Sequence, residues 1–153
     1  FNILGGQVLD AVALDLFGGT GALALEALSR GAARAVIADN SRRAIEVISR
    51  NAANVLKDEL EARVRIVKAD YRSAISALGE RFDLVFLDPP YRMTDAYADA
   101  MTRLLSARAL TEGAVIVCER RRDVEIDVPD GFEIYDMRSY GETAIDFVRR
   151  IEG

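Results

Sequence analysis

Histidine is absent from the sequence. That excludes a Ser-His-Asp triad, a histidine general base and a histidine-ligated zinc, since each depends on an imidazole. Cysteine occurs once, at Cys118 inside the apolar run Ala114 to Cys118, so it reads as a small core residue in a reducing compartment. Long apolar runs are missing too: none approaches the length of a membrane span, and no secretory signal is read. The expectation is a cytoplasmic protein without a membrane partner. Positive charge is in deficit, with 20 Lys and Arg against 25 Asp and Glu, a net charge of −5 and a pI near 4.9. Such a balance weighs against a nucleic-acid binder, which usually presents a basic face. The chain opens at Phe1 without an initiator methionine, and we expect a preceding N-terminal piece that carries its own charge.

Of the 153 residues, 50% are hydrophobic, and mean hydropathy is +0.06, a globular composition with enough apolar side chain for one domain over 1–153. Strand-length apolar runs alternate with helical patterns. Val12 to Phe17 reads as a buried strand, Gly18 to Gly21 as a glycine turn, and Ala22 to Arg30 as a helix closed by Gly31. Ala35 to Ala38 is a second strand and Ser41 to Leu56 a second helix, with Ile45, Ile48, Ala52 and Val55 on its inner face. Val64 to Val67, Leu84 to Leu87 and Ala114 to Cys118 are further strands, separated by helices at Ser73 to Leu78 and Ala96 to Ala109. The alternation then stops. Phe132 to Met137 and Ala144 to Ile151 read as two strands joined through "RSYGET", with no room for a helix. Repeated βα units closed by a hairpin predict a doubly wound, Rossmann-like α/β sheet, mostly parallel, with an antiparallel hairpin strand near its C-terminal edge. Ligands of such sheets bind at the carboxyl ends of the strands.

Candidate site residues fall at those ends. "ALDLFGGTGALALEAL" places Asp15, Phe17, Gly18, Gly19 and Gly21 between a strand and a helix. Glycines there allow a tight turn and close approach of a ligand, and the helix N-terminus offers free N–H groups. Gly19-x-Gly21-x-x-Ala24 fits a dinucleotide fingerprint, and Asp39, at the end of the second strand, is placed to hold ribose hydroxyls. NAD sites do not need an acid such as Asp15, which could accept from an ammonium group or from loop N–H groups. Asp70, ending the third strand, suits an adenine amino group or its neighbourhood. Together these acids favour S-adenosylmethionine, which needs partners for an amino-acid head as well as for ribose and adenine.

The apolar run Leu84 to Leu87 ends in Asp88-Pro89-Pro90-Tyr91. An exocyclic amino group on a nucleobase is a poor nucleophile because its lone pair is delocalised into the ring. A carboxylate and a backbone carbonyl that accept its two N–H bonds favour the pyramidal, nucleophilic form. Asp88 supplies the first and the Pro89 carbonyl the second. The prolines fix φ and lack N–H groups, which holds the turn rigid. Tyr91 can stack on the base.

At these residues the chain resembles the class I S-adenosylmethionine-dependent amino-methyltransferases. More narrowly, "LDLFGGTGALALEALSRGA", "DLVFLDPPY" and "YGETAIDF" resemble the RsmD family of 16S rRNA guanine-N2 methyltransferases. The resemblance implies that Asp15, Gly19 and Gly21 surround the methionine moiety, that Asp39 holds the ribose and Asp70 the adenine end. Asp88, Pro89 and Tyr91 would meet the target base, and Phe17 would line the cofactor pocket. It implies S-adenosylmethionine without a metal, and as partner 16S rRNA, a small ribosomal subunit or an assembly intermediate, bound by a monomer. Family members begin with a basic hairpin and a helix ending in a segment like "FNIL", which here stands at Phe1 to Leu4. Gly18 replaces a common alanine, a change expected to loosen the loop, and Asp39 replaces a common glutamate. The rival readings are adenine 6-amino methylation on DNA or RNA and a non-catalytic or NAD-binding Rossmann module. Arg92 and Arg120 to Arg122 follow the fourth and fifth strands, as phosphate contacts or as a solvated charge run.

Overall fold

The computed structural model describes Phe1 and residues 3–151; Asn2 of the "FNIL" segment, Glu152 and Gly153 lie outside the described residues, as do the side chains of Leu60 and Glu61. A short 3-10 turn at Gly5–Gln7 leads into β1 (Val12–Asp15), α1 (Ala22–Ser29), β2 (Arg34–Asp39) and α2 (Arg42–Leu56). The one-turn α3 (Leu60–Arg63), β3 (Val64–Lys68), α4 (Tyr71–Leu78), β4 (Phe82–Leu87) and α5 (Ala96–Ser106) follow. β5 (Leu110–Arg121), β6 (Phe132–Tyr140) and β7 (Thr143–Arg150) complete the chain. The strands form one seven-stranded sheet in the order β3-β2-β1-β4-β5-β7-β6. β1 to β5 pair in parallel, and β7 is antiparallel to both of its neighbours. The expected architecture, with its antiparallel strand beside the edge, is the one observed.

β4 shows why the sheet is covered on both faces. Leu84 and Phe86 point to one side, into a core with Ala27, Leu28, Ile37 and Ile48. Val85 and Leu87 point to the other, against Tyr71, Ile75, Met101 and Leu104. Alternate residues of a strand face opposite ways, so a run apolar at every position is buried only between two helical layers. Truncating Phe86, which is 1% exposed, to alanine should cost roughly 3–5 kcal/mol.

The ends of several elements differ from the expectation for identifiable reasons. β1 stops at Asp15, because the Phe17 N–H turns to the Asp15 carboxylate (3.1 Å) rather than to a neighbouring strand. α4 begins at Tyr71, because Asp70 caps it by accepting from the Ser73 N–H at 2.9 Å. α2 buries Ile48, Ala52 and Leu56, whereas Val55 is 52% exposed. β5 runs well past its apolar stretch, because β7 pairs with it from Val115 to Arg121 and sets the buried Asp146 against Arg120 at 2.6 Å. The hairpin is correspondingly tight: Tyr140 pairs with Thr143 across Gly141, which takes a φ of +62°.

Candidate active site

β1 pairs with β2 on one side and β4 on the other, so the connections leave in opposite directions at the β1–β4 boundary. Open α/β sheets bind ligands in the crevice at such a switch point. A cleft of about 630 Å³ lies there, within the range of small-molecule sites.

The glycine loop forms one wall. Gly18 is buried and donates its N–H to the Ala38 carbonyl at 2.9 Å. A Cβ on Gly18 would lie 2.6 Å from Ile37 Cγ2 and 2.9 Å from Ile48 Cδ1. In this chain the residue does not loosen the loop; it lets the loop seat on β2 and α2. Gly19 and Gly21 have φ of +59° and +82°, so both turns favour glycine. Gly19 is exposed on the cleft wall, and its N–H donates to Asp39 Oδ2 at 3.0 Å. Asp39 Oδ1 accepts from the Ser41 N–H at 2.9 Å, which ties the end of β2 to both loops. Thr20 is held through its carbonyl by Asn51 Nδ2 at 2.8 Å.

Asp15 lies beneath the loop at 2% exposure. Burial pushes its carboxyl up to about 7; the Phe17 N–H opposes that shift, and the charges of Asp88 and Asp39 add to it. Phe17 lines the cleft and packs on Tyr71, with ring centroids 5.2 Å apart. The Tyr71 hydroxyl is fixed in turn by Asp99 Oδ2 at 2.5 Å. Asp70 stands exposed at the cleft edge, its carboxyl held below the usual range first by the Ser73 N–H.

Opposite the glycine loop stands the turn after β4. Asp88, Pro89, Pro90 and Tyr91 all line the cleft. Met93 donates its N–H to the Pro90 carbonyl at 2.8 Å, and among the described residues no hydrogen bond reaches the Pro89 carbonyl. Tyr91 is 64% exposed, with the Arg92 guanidinium 5.6 Å from its ring centroid. The Asp88 carboxyl is raised to about 6, first by partial desolvation and then by the charge and hydrogen bond of Glu119.

The structure therefore brings Phe17, Gly19, Asp39, Asp70, Asp88, Pro89 and Tyr91 onto one cleft. Asp15, Gly18 and Gly21 support it from below. Asn40, Tyr71, Arg72 and Met93 also line the cleft, and sequence reasoning missed them. Asn40 and Tyr71 each follow a predicted acid by one position, which is the signal that could have found them. Glu119 was missed as well. It sits in β5 one position beyond the Leu87–Cys118 pair, so it is the cross-strand counterpart of Asp88. Arg120 is not available to phosphates, because it is half-buried, paired with Asp146, and donates to the Val124 carbonyl.

A sheet in this order, a glycine loop after β1, an acid ending β2 and Asp-Pro-Pro-Tyr after β4 define the Rossmann-like methyltransferase fold. The family model described as "Conserved hypothetical protein 95" matches residues 1–149, and the chain belongs to that family, the RsmD family. The Escherichia coli (strain K12) protein named ribosomal RNA small subunit methyltransferase D is 37% identical over 92 residues, 60% of this chain and 44% of its own length. The alignment thus spans less than half of that relative. Bacillus subtilis YlbH is 30% identical over 154 residues, covering 98% of this chain and 82% of its own. Among solved structures, a conserved hypothetical protein from Streptococcus pyogenes superposes with a TM-score of 0.89 at 32% identity, over 99% of this chain and 92% of that one. SMU.776, solved in complex with SAH, shares the fold alone: TM-score 0.76, 13% identity, 97% of this chain and 48% of that one.

Proposed function

We propose that this protein is an S-adenosylmethionine-dependent methyltransferase acting on the exocyclic 2-amino group of a guanine in small-subunit rRNA. The observation that carries the reading is Asp88-Pro89-Pro90-Tyr91 standing across a single cleft from the Asp15–Asp39 glycine loop. The names of the E. coli relative and of its Haemophilus influenzae counterpart support rRNA as the substrate class.

The donor set fits the cofactor. Asp39, Asp70 and Asp88 line the cleft with Asp15 buried close by, and among the described residues Arg72 is the only basic one on its lining. A sulfonium and an ammonium are stabilised there, whereas the pyrophosphate of NAD would face uncompensated carboxylates. Asp15, held near neutrality by burial, ionises more readily once an ammonium group lies beside it. Asp39 retains lone pairs for ribose hydroxyls after its two loop contacts, because each carboxylate oxygen can accept twice. Asp70 offers its second oxygen at the adenine end. When bound, the cofactor supplies an electrophilic methyl group; no metal is needed.

The chain's own residues position the nucleophile. Asp88 and the Pro89 carbonyl accept the two amine N–H bonds, and they drain electron density toward a pyramidal nitrogen. Tyr91, already exposed and hinged beside Arg92, stacks on the guanine. Exposed Arg92, Arg121 and Arg122 give the rim phosphate contacts that position RNA without reading its sequence. The test is mass spectrometry of small-subunit rRNA nucleosides from a strain lacking the gene, before and after treatment with the full-length protein and S-adenosylmethionine. Appearance of N2-methylguanosine is expected. Transfer to adenine, or no transfer, overturns the reading.

A further inference from the structure

We propose that Glu119 is a positioning residue for methyl transfer, its carboxyl standing beside that of Asp88 across the β4–β5 edge and so controlling when Asp88 can accept the amine. The inference rests on the function proposed above.

Three geometric observations carry it. First, β4 and β5 are neighbours whose last common pair is Leu87–Cys118, so Asp88 and Glu119 leave the sheet side by side, about 5 Å apart at the backbone. Residues at matching positions on paired strands project to the same face, so the two carboxyl groups face each other's charge. Second, the Glu119 backbone is fixed: the Tyr97 hydroxyl from α5 donates to its carbonyl. Third, the pair has no cation to neutralise it. The adjacent guanidinium of Arg120 is turned away to Asp146 on β7 at 2.6 Å, and among the described residues no Lys or Arg bridges Asp88 or Glu119. The remaining charged group facing Asp88 is Asp15 from β1, also an acid. Two carboxyls in contact without a counter-ion cannot both ionise freely. The upward shift of the Asp88 carboxyl to about 6, caused after desolvation by Glu119, agrees with that geometry.

The consequence for the reaction is a proton count. Asp88 must be ionised to accept the amine N–H. As the new N–C bond forms and the S–C bond breaks, the nitrogen becomes cationic and gives up one proton. The Asp88 carboxylate takes that proton, which removes one of the two facing charges, and then releases it to solvent. A carboxylate titrating nearer neutrality is a better acceptor than an isolated one.

The experiment compares full-length wild-type protein with Glu119→Gln in single-turnover methyl transfer from pH 5 to 8, using small ribosomal subunits from a strain lacking the gene. Glutamine keeps the shape and removes the second charge. The acid limb of the rate profile should move down by roughly one pH unit, with the pH 8 rate lowered and cofactor affinity unchanged. Glu119→Asp, which restores a carboxylate, should return the limb toward wild type. An acid limb that stays in place in Glu119→Gln overturns the inference while leaving the proposed function intact. Wild-type protein that transfers no methyl group overturns the function instead. Infrared titration of the free protein decides the inference in that event and if Glu119→Gln fails to fold. The carboxyl band absent from Asp88→Asn should titrate near pH 6 in wild type and lower in Glu119→Asp, whose shorter side chain weakens the contact. A band that titrates in the ordinary aspartate range in wild type refutes the influence of Glu119 on Asp88.

Discussion

The two sides of the cleft are built on opposite terms. On the β1–β3 side every acid is already bonded to its own backbone: Asp15 accepts from Phe17, Asp39 from Gly19 and Ser41, Asp70 from Ser73. On the β4–β5 side Asp88 accepts from no backbone N–H among the described residues, and its neighbour is another carboxyl, Glu119. Tyr91 is 64% exposed, whereas Phe17 and Tyr71 across the cleft are packed on each other. The first side is assembled before any ligand arrives, which lowers the ordering cost of binding. The second leaves its acceptors free, and under the function proposed above they meet groups present only in the reacting complex, favouring the transition state over the ground state.

The comparison breaks most visibly at Asp88. Asp88→Ala should slow methyl transfer by about 10²–10³ with cofactor affinity intact, read by single-turnover kinetics beside calorimetry. Asp15→Asn tests the opposite side. The folded value near 7 lies above the ordinary 3.8, so the native state holds a proton that the unfolded chain releases. Stability therefore falls as pH rises from about 4 to about 7. Asparagine removes that loss and still accepts from Phe17. The variant should be more stable than wild type by roughly a few kcal/mol at pH 8, equal to it at pH 4, and poor at binding S-adenosylmethionine. Denaturant melts at the two pH values check the sign.

Smaller effects sharpen the contrast. Asp39→Ala should weaken cofactor binding by about 1–3 kcal/mol, because it frees the Gly19 and Ser41 N–H groups and removes the ribose acceptor. Gly18→Ala should cost about 1–3 kcal/mol of stability through overpacking against Ile37 and Ile48, seen as a lower urea midpoint. Tyr91→Phe should change transfer least, since stacking survives, while Tyr91→Ala should lose roughly 1–3 kcal/mol of base positioning.

Much of this was legible in the residues. The βα alternation, the glycine loop, the acid spacing and the Asp-Pro-Pro-Tyr turn are local patterns, and each lands on the sheet rim where periodicity puts it. The misses share a cause: they depend on what lies across the sheet. Glu119 escapes notice because pairing with β7 carries β5 past its apolar run, into a stretch that reads as charge. Arg120 looks like its exposed neighbours until Asp146, 26 positions later, pairs with it. Gly18 reads as slack in a loop, and only the Ile37 and Ile48 side chains show that its missing Cβ is a packing requirement. Asp70 is legible at the sheet rim, and the structure adds that it also caps α4 by accepting from the Ser73 N–H.

The division of labour is tested most directly by crossing Asp88→Ala and Asp39→Ala in two assays on the full-length protein, calorimetric S-adenosylmethionine affinity and single-turnover methyl transfer at saturating cofactor. The account predicts mirror-image losses. Asp88→Ala keeps its affinity and loses about 10²–10³ in rate, whereas Asp39→Ala loses affinity and, once saturated, transfers at near the wild-type rate. An Asp88→Ala protein that methylates as fast as wild type, or that loses cofactor as readily as Asp39→Ala, contradicts it.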